Sequence, residues 1–136
     1  MVRPVPSART GIPNEARDIS PVPPPPDPLA TTPFLYLTTT GRVSGQPRDI
    51  EIWFVRDGQA LYVLASNRER AQWVRNIVAD GNVRVRLLGH ETAATARVLD
   101  RSRDADEWRT AQQLSAEKYG WGDGLPVRIS PEQWPW

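Results

Sequence analysis

The chain reads as a mainly β domain with two helices, a small closed barrel or sandwich of about six mainly antiparallel strands. Three observations predict this. Apolar residues alternate with polar ones over short runs bounded by turn signals. Every strand-to-strand link without a helix is short, which favours antiparallel pairing. Regular strand–helix alternation, the mark of a parallel α/β sheet, is missing, and many short strands with few helices close into barrels or pack as sandwiches.

The elements follow in order. Leu35 and Leu37 point one way and Tyr36 the other, the period of a half-buried first strand. A second strand starts at Arg48, with Ile50, Ile52 and Phe54 on one face and Glu51, Trp53 and Val55 on the other. Asp57-Gly58 is a hairpin turn, and Leu61 to Ala65 is the third strand. Ser66-Asn-Arg-Glu69 has the spacing of a capping box and opens a helix over 68–79. Its apolar stripe is Ala71, Val74, Ile77 and Val78, with Trp73 at the edge. Val83 to Leu87 alternates as a fourth strand, Gly89-His90 turns the chain, and a fifth strand covers Thr92 to Leu99. Asp104, with Glu107 three residues on, predicts a helix over 104–119 that carries Trp108, Ala111, Leu114 and Ser115 on one side. Tyr119 to Gly124 is a glycine-rich loop with two aromatics, and Val127 to Ile129 is a short last strand.

Residues 1–33 hold ten of the 14 prolines. Proline lacks a backbone donor and blocks helix, so polyproline II or disorder is expected there, read as a plain N-terminal arm ahead of a PxxP-type ligand. The folded domain is taken as 34–136, enough for one core. Bulk properties exclude several chemistries. With 17 basic and 16 acidic residues the net charge is +1, so no bulk field points to nucleic acid. Cysteine is absent, which excludes thiol catalysis, disulfides and Cys-ligated metal. His90 is the single histidine, and Asp and Glu are scattered, so neither a triad nor a metal cluster has material. Lys118 is the one lysine. No apolar run reaches the ~18 residues of a membrane span, and no secretory segment opens the chain; a soluble cytoplasmic protein is expected.

The first two strands are joined by Thr40-Gly-Arg-Val-Ser-Gly-Gln-Pro47. Gly41 and Gly45 let the backbone turn tightly and bring its N–H groups close to a ligand. Arg42, Ser44 and Arg48 set two guanidinium groups and a hydroxyl around that turn, the donor set of an anion site. An ordinary hairpin with solvated arginines is the competing reading.

Leu37-Thr-Thr-Thr-Gly-Arg-x-Ser-Gly-Gln-Pro-Arg48, Ile52-Trp-Phe-Val-x-Asp-Gly58, Ala65-Ser66 and Trp73-x-x-Asn76-Ile77 follow one another as in the deazaflavin-dependent nitroreductases and quinone reductases. The chain resembles that family, within the flavin/deazaflavin oxidoreductases of split β-barrel fold. The likeness covers roughly Pro33 to Leu88 and continues more weakly through Ala96-Arg97 and Lys118 to Trp121 as far as Pro131. It looks like a short subgroup: the segment from Ser66 to Trp73 is brief, and Val43 stands where many nitroreductase-like members carry a basic residue. The resemblance implies coenzyme F420, a 5-deazaflavin, gripped through its phosphate by Arg42, Ser44 and Arg48. It implies that the backbone at Ile50 to Ile52, with Ala65, Ser66 and Asn67, lies beside the ring. Trp73 and Asn76 match the helix that covers the site, and Tyr119 and Trp121 fall on the substrate side.

The implied activity is hydride transfer from the reduced deazaflavin to a small organic acceptor such as a quinone, a nitro compound or an enone. The cofactor then carries the difficult step, which suits a sequence without triad, metal cluster or thiol. No catalytic acid is singled out; Tyr119, Ser66 and water are the candidates. The alternatives are an FMN-dependent oxidoreductase resembling pyridoxamine-phosphate oxidases, and a non-catalytic flavin- or heme-binding protein. A homodimer is also expected. If one strand face fills the barrel, Tyr36, Trp53 and Val55 on the other need cover from a helix or a second subunit.

Overall fold

A computed structural model describes residues 27–136; the proline-rich stretch before them, and the polyproline reading made for it, lie outside the described residues. The strands are β1 (Phe34–Thr40), β2 (Pro47–Trp53), β3 (Val55–Asp57), β4 (Ala60–Ala65), β5 (Asn82–Leu87), β6 (His90–Val98) and β7 (Leu125–Pro131). The helices are α1 (Pro28–Thr31), α2 (Gln72–Ala79) and α3 (Ala105–Tyr119). All strands belong to one curled antiparallel sheet of order β2-β1-β5-β6-β7-β4-β3, a split β-barrel. Alternating residues fill its interior: Leu35 and Leu37 from β1, Val83, Val85 and Leu87 from β5, Val127 and Ile129 from β7. No helix among the described residues is long and apolar enough to cross a membrane.

Packing reaches upstream of residue 33. Asp27 caps the short helix α1 by accepting the Leu29 N–H at 3.0 Å, and Leu29 sits in the core at 2 % exposure.

The strand count is seven where about six were expected, because the second predicted strand breaks at Phe54. Its two halves become β2 and β3, which occupy opposite edges of the sheet. One residue therefore carries the chain from the first edge to the last. The break also shifts the alternation. Phe54 and Val55 are both buried, so Val55 leaves the exposed face on which Trp53 remains. Phe54 belongs to neither ladder, and a buried backbone group without a partner is costly. The end of α3 supplies the partners. Tyr119 Oη accepts the Phe54 N–H at 3.1 Å, and lies 2.7 Å from both the Phe54 and Pro33 carbonyl oxygens, to which its O–H can donate. Lys118 Nζ donates to the carbonyls of Leu29 (3.0 Å), Thr32 (2.8 Å) and Phe54 (3.0 Å), one for each ammonium proton.

Two helix predictions also change in detail. The Ser66–Glu69 capping box does not form. Arg68–Arg70 is a 3₁₀ turn, the chain extends at Ala71, and α2 starts at Gln72 without a side-chain cap. Within α2, Val74 and Ile77 point inward as predicted, but Val78 is 73 % exposed and Asn76 takes the inner position. At α3, Asp104 sits at the N-cap position, yet its carboxylate accepts from the Asp100 N–H (2.7 Å) and from Arg97 (2.9 Å) instead of capping the helix.

Lys118 gives a pH prediction. Burial pushes its ammonium down from 10.5 to about 8, the Asp27 carboxylate opposing the shift. Between these values the unfolded chain binds more protons than the folded one, so stability rises with pH across the window and is flat below it. In urea unfolding, wild type is expected to gain stability relative to Lys118→Met as pH rises through that window. A difference that stays constant from neutral to alkaline pH would refute the buried ammonium.

Candidate functional site

The turn between β1 and β2 is held by its own hydrogen bonds. The Gly41 N–H donates to the Gln46 carbonyl and the Gly45 N–H to the Gly41 carbonyl, both at 2.8 Å. The Gln46 N–H donates to Ser44 Oγ at 3.1 Å. Gly45 takes φ +72°, which a side chain would strain. Gly41 is needed for space: a Cβ there would stand 2.7 Å from Ser44 Oγ. Both glycine N–H groups are thus engaged inside the loop. The N–H groups of Val43 and Ser44 make no hydrogen bond among the described residues, and Val43 is 92 % exposed.

The two arginines stand on either side of this turn. Arg42 is tied to α2: its Nη1 donates to Asn76 Oδ1 at 2.9 Å, its Nη2 to Gln72 Oε1 at 2.8 Å, and its backbone N–H to the same Asn76 oxygen at 3.2 Å. Arg48 Nη2 donates to Ser44 Oγ at 3.2 Å. The Ser44 oxygen therefore accepts twice, and its own O–H is left as a donor. Between the loop, Ile50 on β2 and Trp73 on α2 lies an open hollow of about 550 Å³.

A second hollow of about 500 Å³ continues along β2, bounded by Ile52, Trp53, Ala65 and Trp121, with Ser66 and Asn67 as polar groups. Trp73 borders both hollows. Every residue predicted to be on the cofactor side thus lines one or the other: Arg42, Ser44, Arg48, Ile50 and Asn76 the first, Ile52, Ala65, Ser66 and Asn67 the second, Trp73 both. Trp121 borders the second. Tyr119 borders neither. Its ring stacks on Trp53 at 4.4 Å and 2°, and its hydroxyl is engaged with backbone carbonyls, so it reaches the hollow only through Trp53. The same contacts remove it as a proton donor.

Some lining residues gave no signal. Leu61 to Ala65 is apolar throughout, and a strand buried on both faces has no period to read. Tyr62 and Leu64 are the residues on its outer face, toward α3, and both border the second hollow. Tyr62 Oη donates to Glu107 Oε2 at 2.6 Å, a carboxylate also held by Arg128 at 2.9 Å. Burial, then this carboxylate, raises the phenol well above its ordinary range, so it remains a donor.

Trp121 is placed by the loop after α3. Gly120 leaves the helix at φ +77°, Ser115 Oγ donates to the Trp121 carbonyl at 2.6 Å, and Gln112 Nε2 donates to the Gly124 carbonyl at 2.9 Å. Arg68 straps the facing connection to this loop through the Asp123 carbonyl at 2.7 Å. A Cβ on Gly124 would lie 2.7 Å from the Trp121 ring and 2.9 Å from both the Ala65 oxygen and Leu64 Cβ. Gly124→Ala is therefore expected to displace Trp121 and lower stability by about 1–3 kcal/mol, measured by denaturant unfolding; an unchanged midpoint would show that the loop gives way freely.

Comparison with known proteins adds to this geometry. Solved structures share the fold. The heme storage protein HutZ from Vibrio cholerae is 20 % identical, with a TM-score of 0.62 over 78 % of this chain and 86 % of that one. An F420-H2 dependent reductase, FDR-A, is 25 % identical, with a TM-score of 0.57 over 74 % of this chain and 94 % of that one. A protein solved as a domain-swapped dimer is also 25 % identical, with a TM-score of 0.59 over 74 % and 80 %. The family model described as F420H(2)-dependent quinone reductase matches residues 26–131, so the chain belongs to that family and is an F420-dependent reductase.

Proposed function

We propose that the chain holds F420 with its phosphate against Arg42, Ser44 and Arg48 and its ring system beside Ile50 to Ile52, Ala65, Ser66, Asn67 and Trp73, and reduces a small organic acceptor such as a quinone, a nitro compound or an enone. The observation that carries this reading is adjacency: a hollow edged by two guanidinium groups shares Trp73 and β2 with an aromatic-walled one. The donor set fits the group. A phosphate dianion takes several donors, and the loop offers the remaining N–H groups of two arginines, the Ser44 hydroxyl and two open backbone N–H groups. The apolar wall suits a planar ring.

Bound in reduced form, F420 supplies a hydride from its ring carbon. The chain's own residues bind, orient and exclude water. Trp53, held by Tyr119, and Trp121, held by Ser115 and Gly124, fix the width of the space left for an acceptor. Ser66 and Asn67 are the neutral polar groups at its edge. With Tyr119 engaged elsewhere, the proton for the product comes from Ser66 or from water.

The reading extends to assembly. Phe34, Tyr36 and Trp53 are 39 %, 37 % and 42 % exposed on one face of β1 and β2, and Phe34 and Trp53 also border the second hollow. A second copy over this face would cover them and close that side, and the relative solved as a domain-swapped dimer supports the pairing. Sedimentation at micromolar concentration is expected to give a dimer; a monomer with coenzyme bound would count against it.

Coenzyme affinity tests the site. Arg42→Ala and Arg48→Ala should each weaken F420 binding about ten- to hundredfold in a fluorescence titration. Arg42→Lys should restore it only in part, since an ammonium lacks the planar fork. Arg48→Ala should leave the melting temperature unchanged, because its side chain is exposed and, among the described residues, hydrogen-bonded only to Ser44. If both alanine variants bind like wild type, the loop is an ordinary hairpin.

A further inference from the structure

We propose that Thr39 and Asn76 act as positioning residues that aim Arg42 at the coenzyme phosphate, a role resting on the phosphate placement proposed above. Asn76 faces inward from α2 at 5 % exposure, and Thr39 lies on β1 at 1 %. A buried amide and hydroxyl on elements otherwise packed by apolar residues call for a reason.

The hydrogen bonds supply one. Asn76 Oδ1 accepts two bonds from Arg42, from the backbone N–H at 3.2 Å and from Nη1 at 2.9 Å. Both of those groups can only donate, so the amide must turn its oxygen toward them. Its Nδ2 then faces the other way and donates to Thr39 Oγ1 at 3.1 Å. Arg42 thus fixes which end of the amide it meets, and the threonine oxygen satisfies the buried amide nitrogen that this orientation turns away. Without that acceptor the Nδ2 group would be buried without a partner, and the orientation that Arg42 needs would cost more. Gln72 completes the grip by accepting Nη2 at 2.8 Å. Together these contacts fix the inner edge of the guanidinium and leave its remaining N–H groups toward the hollow that Arg42 and Arg48 border. Pinning the Arg42 backbone N–H with the same oxygen ties the loop to α2. A flexible arginine loses rotamer freedom when it binds an anion; one already held in place loses less.

Asn76 on this account touches the coenzyme through Arg42 and not itself. Thr39, behind it in the barrel wall, is coupled to a phosphate it does not meet.

The test is a double-mutant cycle read as F420 affinity by fluorescence titration, with no turnover involved. Asn76→Ala is expected to weaken binding about tenfold and Thr39→Val, which keeps the shape but removes the acceptor, about three- to tenfold. Thr39→Ser keeps the hydroxyl and should bind like wild type. The double variant Arg42→Ala/Asn76→Ala should bind no more weakly than Arg42→Ala alone, because the amide has nothing left to aim. Additive losses in the double variant would overturn the proposal, since Asn76 would then contact the coenzyme independently. So would wild-type affinity in Thr39→Val beside weakened binding in Arg42→Ala. If Arg42→Ala itself binds like wild type, the phosphate placement fails and this role fails with it. Should Asn76→Ala not fold, the Thr39→Val and Thr39→Ser pair decides alone.

Discussion

A sheet curled into a barrel has to bring its first edge round to its last, and here a single residue does so. Phe54 joins β2 to β3 across the opening, and its backbone N–H and carbonyl can belong to neither ladder. Lys118 and Tyr119 at the end of α3 take them, together with the carbonyls of Leu29, Thr32 and Pro33 just before β1. The last turn of a helix thus continues the hydrogen bonding where the strands stop, at the helix end whose dipole favours a cation. The site depends on this closure. It keeps Trp53 outside while Phe54 and Val55 turn inward, and it sets Tyr119 flat against Trp53, the wall of the aromatic hollow.

What the sequence made legible was local. The alternation of Leu35 with Leu37, and of Val83, Val85 and Leu87, is set by the pleat and reads directly. The break at Phe54 does not. Trp, Phe and Val are all strong strand formers, no glycine or proline marks the spot, and the groups that stabilise the break lie 64 and 65 positions away. The inward turn of Asn76 was hidden for the same reason. An apolar stripe prefers Val78, and only Thr39 and Arg42, distant in sequence, give the amide a reason to be buried. The capping box failed in the opposite direction: its spacing was present, but the chain after Ser66 turns as a 3₁₀ segment before α2 begins.

The site divides along the same line. The arginines and serine of the β1–β2 loop could be read from chemistry alone, because the donor set lies within one short turn. Ala65 to Asn67, Trp73 and Trp121 were brought in by resemblance, since nothing in an isolated strand end or helix says what it faces. Thr39, Gln72 and Tyr62 escaped both routes. Each is an ordinary residue of an ordinary element, and its meaning comes from partners across the fold.

The distribution of cations fits this division. One lysine stands among 17 basic residues, and it is half-buried, with all three ammonium protons on backbone carbonyls. A compact ammonium can send three protons to three carbonyls converging from different segments, which a planar guanidinium cannot match. Arginine serves where flat acceptors must be met edge-on: Arg42 against the Asn76 and Gln72 amide oxygens, Arg97 against the Asp104 carboxylate, Arg128 against Glu107. Arg42 combines both tasks of the molecule. Its inner edge belongs to the network that docks α2 onto the barrel, and its outer edge borders the hollow. With the phosphate placed as proposed, helix packing and anion recognition are tied to the same side chain, and a buried threonine on β1 is linked to that surface site through two hydrogen bonds.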